Sequence, residues 1–201
     1  MNIQLAIETS TDVCSVALKV NNDILTREEL TPRKHAHVIL PFIEELLSEA
    51  GHPVGDLDSL IISKGPGNFT GLRIGFGIAQ GIAFAKDLPV YAVSSLAAFA
   101  QSAYAQTQKN RVAVLQDAKM QEVYAGFYHL DASGAMTPDS PDSLINPKDY
   151  ALPNGDWLVV GNAWETYAAL SQKAPLIQAM NHLSPRAKDL FALTQSTEPC
   201  N

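Results

Sequence analysis

The chain has 201 residues, 46 % hydrophobic and 17 % charged, enough apolar mass for a substantial core in one domain or two small lobes. Its net charge of −7 comes without a Lys/Arg-rich patch, which argues against duplex nucleic acid as a partner of this chain alone. Two cysteines, Cys14 and Cys200, make no disulfide framework. Met1-Asn2-Ile3 enters an apolar strand without a basic leader, and Arg73, Gln80 and Lys86 interrupt the best candidate for a membrane span, so a reducing cytoplasm is the expected location.

Ile3 to Thr9 reads as a buried strand, and the alternating run Cys14 to Val20 should pair with it. Asn21-Asn22-Asp23 is a hairpin signal, and Ile24 to Leu30 follows as a third strand. The period then changes. Ile39, Phe42, Ile43, Leu46, Leu47 and Ala50 mark one face of a helix that Gly51 and Pro53 end. Val38 and Leu40 widen its apolar surface, and Pro41 must sit in the first turn or bend the helix. A strand from Ser59 to Ser63, a helix to about Lys86, a strand from Pro89 to Val93 and a helix from Ser95 to Tyr104 complete the order βββαβαβα.

The second half begins as the first did. Arg111 to Gln116 is an apolar strand ending in the acidic Asp117, as Ile3 to Ile7 ends in Glu8. Val123 to Leu130 is its partner, turning at Asp131-Ala132-Ser133-Gly134. Asp139 to Pro147 reads as an exposed connection. A strand from Trp157 to Gly161, a helix from Ala163 to Leu170 and a last helix from Ser184 to Thr194, with Ser184 as N-cap and Pro185 at its first position, are expected. Trp157 and Trp164 read as core residues. The whole suggests a degenerate duplication of βββαβα units, with lobes at 1–105 and 106–201: an α/β, two-lobed actin-like ATPase and sugar kinase (ASKHA) fold.

The segment Ser63 to Gly77 carries the most information. A Gly/Pro-rich turn opens a helix containing Gly71, Gly75, Gly77 and Gly81, although each interior glycine costs about 1 kcal/mol relative to alanine. Backbone must therefore be needed at that surface, by a phosphate at the helix N-terminus or by a closely packed helix. A Walker loop would need lysine after its last glycine, and Leu72 stands there. A dinucleotide fingerprint would need a third glycine where Thr70 stands. Two readings remain beside a nucleotide: a tight turn with Thr70 as N-cap, or a partner lying on the small-residue helix. The loops that meet nucleotide in the ASKHA fold, Glu8 to Asp12, Asp117 to Met120 and Val160 to Ala163, hold one glycine between them, Gly161. Close phosphate approach is poorly served by such loops.

Ile7-Glu8-Thr9-Ser10, Ser15-Val16-Ala17-Leu18, His35 through Leu40-Pro41, and above all Lys64-Gly65-Pro66-Gly67-Asn68-Phe69-Thr70-Gly71-Leu72-Arg73-Ile74-Gly75 resemble the bacterial TsaB (YeaZ) family. Val93-Ser94-Ser95-Leu96 and Asp117 through Tyr124 continue the likeness, which covers nearly the whole chain. The family is an inactive paralogue of the catalytic subunit TsaD. The resemblance implies a subunit without catalytic, cofactor or metal residues of its own. It would join TsaD and the ATPase TsaE, which would hold ATP and metal, to install threonylcarbamoyl on N6 of adenosine 37 in tRNAs reading ANN codons. Contact with tRNA would come only through the complex, and a homodimer is implied when TsaD is absent. The chain stops at Pro199-Cys200-Asn201, short of the family's Pro-x-Tyr-Leu-Arg-like tail.

The expected contact with TsaD, or with a second copy, lies on the two helices from His37 to Ala50 and Gly71 to Lys86. Its residues are His37, Val38, Leu40, Pro41, Phe42, Gly71, Arg73, Ile74, Gly75 and Ile78. A broad apolar helix beside a glycine-rich one suits completion of a four-helix bundle by a partner pair. The alternatives are a small-molecule kinase or ATPase of the same fold, or a glycoprotease-like hydrolase, though no G-x-S-x-G elbow or zinc motif supports proteolysis. His35 and His37 do not share a helical face, so the pair is a poor metal site.

Overall fold

The computed structural model describes residues 1–32, 34–152, 154–171 and 183–200. They divide into two compact units, one formed by Met1–Ser95 with Arg186–Asn201 and the other by Leu96–Pro185.

The first unit is built on five strands: β1 (Ile3–Glu8), β2 (Val13–Val20), β3 (Asp23–Leu30), β4 (Ser59–Ser63) and β5 (Val90–Val93). Their order is β3-β2-β1-β4-β5. β1, β2 and β3 form an antiparallel meander, and β4 and β5 run parallel to β1. The parallel strands require crossovers, supplied by α1 (His35–Ala50) and α2 (Phe69–Lys86). Alternation along the strands sorts the core. Ile3, Leu5, Ile7, Val16, Leu18, Leu60 and Ile62 join Ile39, Ile43, Leu46 and Leu47 of α1 in one buried cluster. Ala6, Ala17 and Ile61 are equally buried and pair across the sheet on its other face.

That second face is covered by the C-terminal segment, a 3₁₀ helix from Ala187 to Ser196. Ala187 N–H donates to Ser15 Oγ at 3.1 Å, and Lys19 Nζ lies 5.7 Å from the Phe191 ring centre. Cys200 N–H donates to Val90 O at 2.7 Å. This docking explains two departures from expectation. Residues 186–201 belong with the first unit, because its sheet would otherwise be bare on one side. The last helix starts at Ala187 and is 3₁₀, because Arg186 is extended (φ −120°, ψ 139°) where Ala187 reaches Ser15, so Ser184 does not cap it.

The second unit holds α3 (Ser95–Thr107), β6 (Arg111–Lys119), β7 (Glu122–Leu130), β8 (Met136–Pro138), β9 (Ser143–Ile145), β10 (Leu158–Val160), α4 (Ala163–Thr166) and α5 (Ala168–Ser171). Its sheet runs β10-β6-β7-β8, with β9 also on β7. β6 and β7 are antiparallel while β10 runs parallel to β6, repeating the placement of β2 and β4 around β1. This is the degenerate duplication of the actin-like ATPase and sugar kinase architecture. No helix is described between β9 and β10 where the first unit has α1. The boundary expected after residue 105 falls after Ser95. The reason is Gln101 of α3, which donates to Gly134 O at 3.1 Å and accepts from Met136 N at 2.8 Å. The helix expected from Ala163 to Leu170 is broken at Tyr167 (φ −122°, ψ 104°), whose hydroxyl donates to Asp117. Trp157 and Trp164 lie in the core of this unit, with Phe127 and Tyr150 rings around them.

Two helix details also differ from the sequence reading. Asn68, not Thr70, caps α2, its Oδ1 accepting Gly71 N–H at 3.1 Å. Pro41 lies inside α1 beyond its first turn, so the His37 carbonyl receives no helical N–H from it. α1 ends at Gly51, whose φ of 73° is the left-handed conformation glycine adopts without steric penalty.

The glycines of α2 serve two different surfaces. A Cβ at Gly71 would stand 2.2 Å from Thr9 O, and one at Gly75 2.6 Å from Thr9 Oγ1. At Gly77 and Gly81 it would meet nothing within 4 Å. Gly71→Ala is expected to destabilise by about 2–3 kcal/mol through overpacking, whereas Gly77→Ala should stabilise by somewhat under 1 kcal/mol through helix propensity. Denaturant midpoints of the two variants check the opposed signs. Loss of the cap in Asn68→Ala should lower stability by about 1 kcal/mol in the same assay.

Candidate functional site: an exposed face on α2

In the first unit, α2 is apolar on almost every side. Its inner side is fixed by Gly71, Gly75 and Ala79, spaced by four and buried over the end of β1. Ile74, Ile78 and Ile82 flank that line and pack against the core cluster. The outer side carries Phe69, Phe76 and Phe84, which are 65 %, 39 % and 92 % exposed. Positions seven apart differ by about 20° around an α-helix. Phe69 and Phe76 are therefore nearly in line, as are Gly77 and Phe84. Arg73 lies in the same sector, with its guanidinium carbon 3.8 Å from the Phe69 ring centre. A surface helix whose own unit covers only one stripe ordinarily turns polar residues outward. This one turns out three aromatic rings and two open glycines beside Thr70, Arg73 and Gln80.

The face continues into a groove of about 640 Å³ between the C-terminal half of α2 and the β5 edge. Phe76, Gln80 and Phe84 form one wall, and Leu88, Val90 and Cys200 line the other side. α2 ends in a left-handed turn at Asp87, whose N–H donates to Ala83 O, and this turn directs Leu88 back under the helix.

The residues singled out from sequence separate in the structure. His37 and Pro41 are exposed, and Leu40 is 50 % exposed. Val38 and Phe42 are half-buried and pack on the unit's own core, so they are not the surplus surface they suggest in sequence. By helical rotation they share a side with Glu45 and Glu49, which hold Arg27 of β3 at 2.9 and 2.5 Å. Of the α2 set, Arg73 is exposed, whereas Ile74 and Ile78 are half-buried against the core. Gly71 and Gly75 are buried, because the space their missing side chains leave is taken by Thr9. The expected contact set left out Phe69, Phe76 and Phe84, and of the four glycines noted in the helix it took Gly71 and Gly75, which face inward, rather than Gly77 and Gly81, which are open. His35 is buried and donates its Nε2 proton to Thr11 O at 2.9 Å, while His37 points elsewhere on the helix.

The two acidic strand ends are engaged within their own units. Glu8 is fully buried. Its Oε1 accepts Ser10 N–H at 2.6 Å and its Oε2 accepts the Ser63 hydroxyl. Burial lifts its carboxyl to about 7, against the pull of the Ser10 hydrogen bonds. In the second unit, Asp117 accepts Tyr167 Oη–H at 2.8 Å, Lys119 N–H at 2.8 Å and Lys119 Nζ at 2.6 Å. Burial raises its carboxyl, but these bonds from Lys119 and Tyr167 outweigh burial and hold it below the ordinary carboxylate value. The Lys119-Met120-Gln121 hairpin has no glycine, and all three residues take positive φ (66°, 51° and 64°). Gly161 is also structural, since a Cβ there would stand 2.0 Å from Leu115 O.

The comparisons with known proteins agree with one another. The family model for tRNA N6-adenosine threonylcarbamoyltransferase, TsaD, matches residues 24–198. The tRNA threonylcarbamoyladenosine biosynthesis protein TsaB of Escherichia coli is 35 % identical, over 94 % of this chain and 84 % of its own. The Haemophilus influenzae TsaB is 37 % identical, over 84 % of this chain and 75 % of its own. Two solved structures from Pseudomonas aeruginosa, one described as YeaZ and one as similar to peptidase YeaZ, superpose with TM-scores of 0.88 and 0.90. Both are 39 % identical and cover 96 % of this chain, which spans 91 % and 90 % of theirs. The chain therefore belongs to the TsaB (YeaZ) family of tRNA threonylcarbamoyladenosine biosynthesis proteins, within the wider family described by the TsaD model.

Proposed function

We propose that this chain is a non-catalytic subunit that binds TsaD and holds it in an active conformation for threonylcarbamoylation of N6 of adenosine 37 in tRNAs reading ANN codons. The observation that carries this reading is the outer face of α2. Phe84 is 92 % exposed beside Gly77 and Gly81, whose open positions let a second helix approach to backbone distance. Leu40 of α1 and Arg73 extend the surface, so a pair of partner helices would complete a four-helix bundle. A second copy of the chain would occupy the same face when TsaD is absent. TsaE, ATP and metal belong to the other subunits in this reading, tRNA is met only in the assembly, and the compartment is the cytoplasm. The internal engagement of Glu8 and Asp117 supports the non-catalytic role, since both carboxylates spend their oxygens on their own units.

Phe84→Asp and Gly77→Leu are expected to weaken association with TsaD at least tenfold, about 1.4 kcal/mol. Neither should lower the melting temperature, because neither side chain is buried in the unit. Titration calorimetry with TsaD, paired with thermal melting, checks this, and unchanged affinity in both folded variants overturns the assignment of the face. The isolated chain is expected to release no phosphate from ATP-Mg. Turnover that Glu8→Ala abolishes would identify an ATPase of the same fold instead.

A further inference from the structure

Glu8 spends a fully buried carboxyl on two neighbours and meets no cation: among the described residues no basic side chain forms an ion pair with it. Its two bonds hold the Thr9-Ser10 turn against Ser63 of β4. That turn is the seat of α2. Ser10 O accepts Asn68 N–H at 2.7 Å, and Asn68 is the cap of the helix. A Cβ at Gly67 would stand 2.4 Å from Ser10 O, and at Gly71 2.2 Å from Thr9 O. The helix N-terminus thus lies on two carbonyls whose positions Glu8 fixes. The same rigid helix presents Phe76, Gly77 and Phe84 to solvent.

We propose that Glu8 is a positioning residue for the docking face, acting through the Thr9-Ser10 turn on the seat of α2, and that proton uptake by Glu8 tightens this seat. The proposal rests on the partner reading given above for the outer face of α2. It places no partner contact on Glu8 itself.

The direction follows from burial. Burial raises Glu8 from its ordinary 4.5 to about 7, so exposure to water on release from the seat would lower it toward that ordinary value. The seated state therefore binds the proton more tightly. Its advantage is complete below about 4.5, declines as pH rises, and is lost once pH passes about 7. The comparison with Glu8→Gln separates Glu8 from the other titratable and charged groups around it. On β2, the Cys14 thiol is pushed up to about 12 by burial, then by the charges of Glu8 and Glu29, and stays neutral. On the terminal 3₁₀ segment, Arg186 pairs with Glu28 at 3.2 Å, Lys188 is exposed and Asp189 is half-buried. Lys64 after β4 and Arg73 on α2 are exposed, and His35 of α1 is bound to Thr11 O.

The test uses the full chain as wild type, Glu8→Gln and Glu8→Ala. Glutamine keeps the shape and the neutral charge of the protonated acid; alanine removes both bonds. Amide exchange at Asn68 and Gly71 is followed from pH 5 to 7 and corrected for intrinsic rates. Wild-type protection should fall with pH, by at most about tenfold per unit, while Glu8→Gln stays level. Association with TsaD is then measured at pH 5.5 and 7.5. The wild type should bind several-fold more weakly at 7.5. Glu8→Gln should keep its pH 5.5 affinity, and Glu8→Ala should bind more weakly than Glu8→Gln at both values. A wild-type protection profile that is flat, or shared by Glu8→Gln, overturns the role of Glu8. A normal protection slope with pH-independent wild-type affinity overturns its link to docking. If no variant binds TsaD, the partner reading and that link both fall, while the exchange profiles still decide whether Glu8 controls the seat. Should Glu8→Ala not fold, the glutamine comparison decides alone.

Discussion

The contact on which the first unit depends is backbone against backbone: the Thr9 and Ser10 carbonyls beneath the start of α2. A helix normally rests on a sheet through side chains, at a distance those side chains set. Here Gly67 and Gly71 remove them, and the helix descends until its own backbone meets the turn. The Asn68 N–H bond to Ser10 O, the Asn68 cap on Gly71 and the Ser95 hydroxyl accepting Gly65 N–H hold the turn and helix start together. A phosphate-binding loop of similar glycine content keeps its amides free for a ligand. In this chain the Asn68 and Gly71 amides are already taken by Ser10 O and Asn68 Oδ1. The glycines mark a close approach, and the approaching group is the chain's own strand end.

The depth of this seat determines what the rest of α2 can do. With Gly71, Gly75 and Ala79 forming the inner line, only a narrow strip of the helix is covered by the sheet, and Ile74, Ile78 and Ile82 close its margin. The rest of the circumference stays outside. A helix with a polar outer side would leave that surface solvated; α2 places Phe69, Phe76 and Phe84 there with glycines between them. Exposed aromatic area of this kind is a liability in an isolated domain unless a partner covers it. Arg73 stacked on Phe69 shields one ring in the free chain and gives the surface a charge that can choose its partner.

Much of this was legible from the residues alone. The strand and helix order of the first unit follows from periodicity, since α1 has a clear apolar stripe and β1 to β5 are short runs between turn signals. The duplication was visible in the two apolar strands ending in Glu8 and Asp117, and β10 beside β6 repeats β4 beside β1. What could not be read was tertiary. Ser184-Pro185 looks like a helix start, yet Ser15, far away in sequence, accepts Ala187 N–H and the chain stays extended for one residue more. Gln101 assigns α3 to the second unit through bonds to Gly134 and Met136, which no periodicity reveals. At the candidate site, four glycines in one helix gave the correct diagnosis of close packing but not its direction. Only the position of Thr9 separates Gly71 and Gly75, turned inward, from Gly77 and Gly81, turned out.

Glu8 and Asp117 then show how one architecture diverges between its two copies. Each stands at or near the end of the first strand of its sheet, but the surroundings pull their acidities apart. Asp117 keeps a lysine and a tyrosine hydroxyl on its oxygens and is held as an anion. Glu8 has only a backbone amide and a serine hydroxyl, with no counter-charge, and burial dominates. An acid meant to hold a cation needs oxygens left free for it. Glu8 has one oxygen on the Ser10 amide of the turn and the other on the Ser63 hydroxyl of β4, and that turn carries the helix with the exposed face.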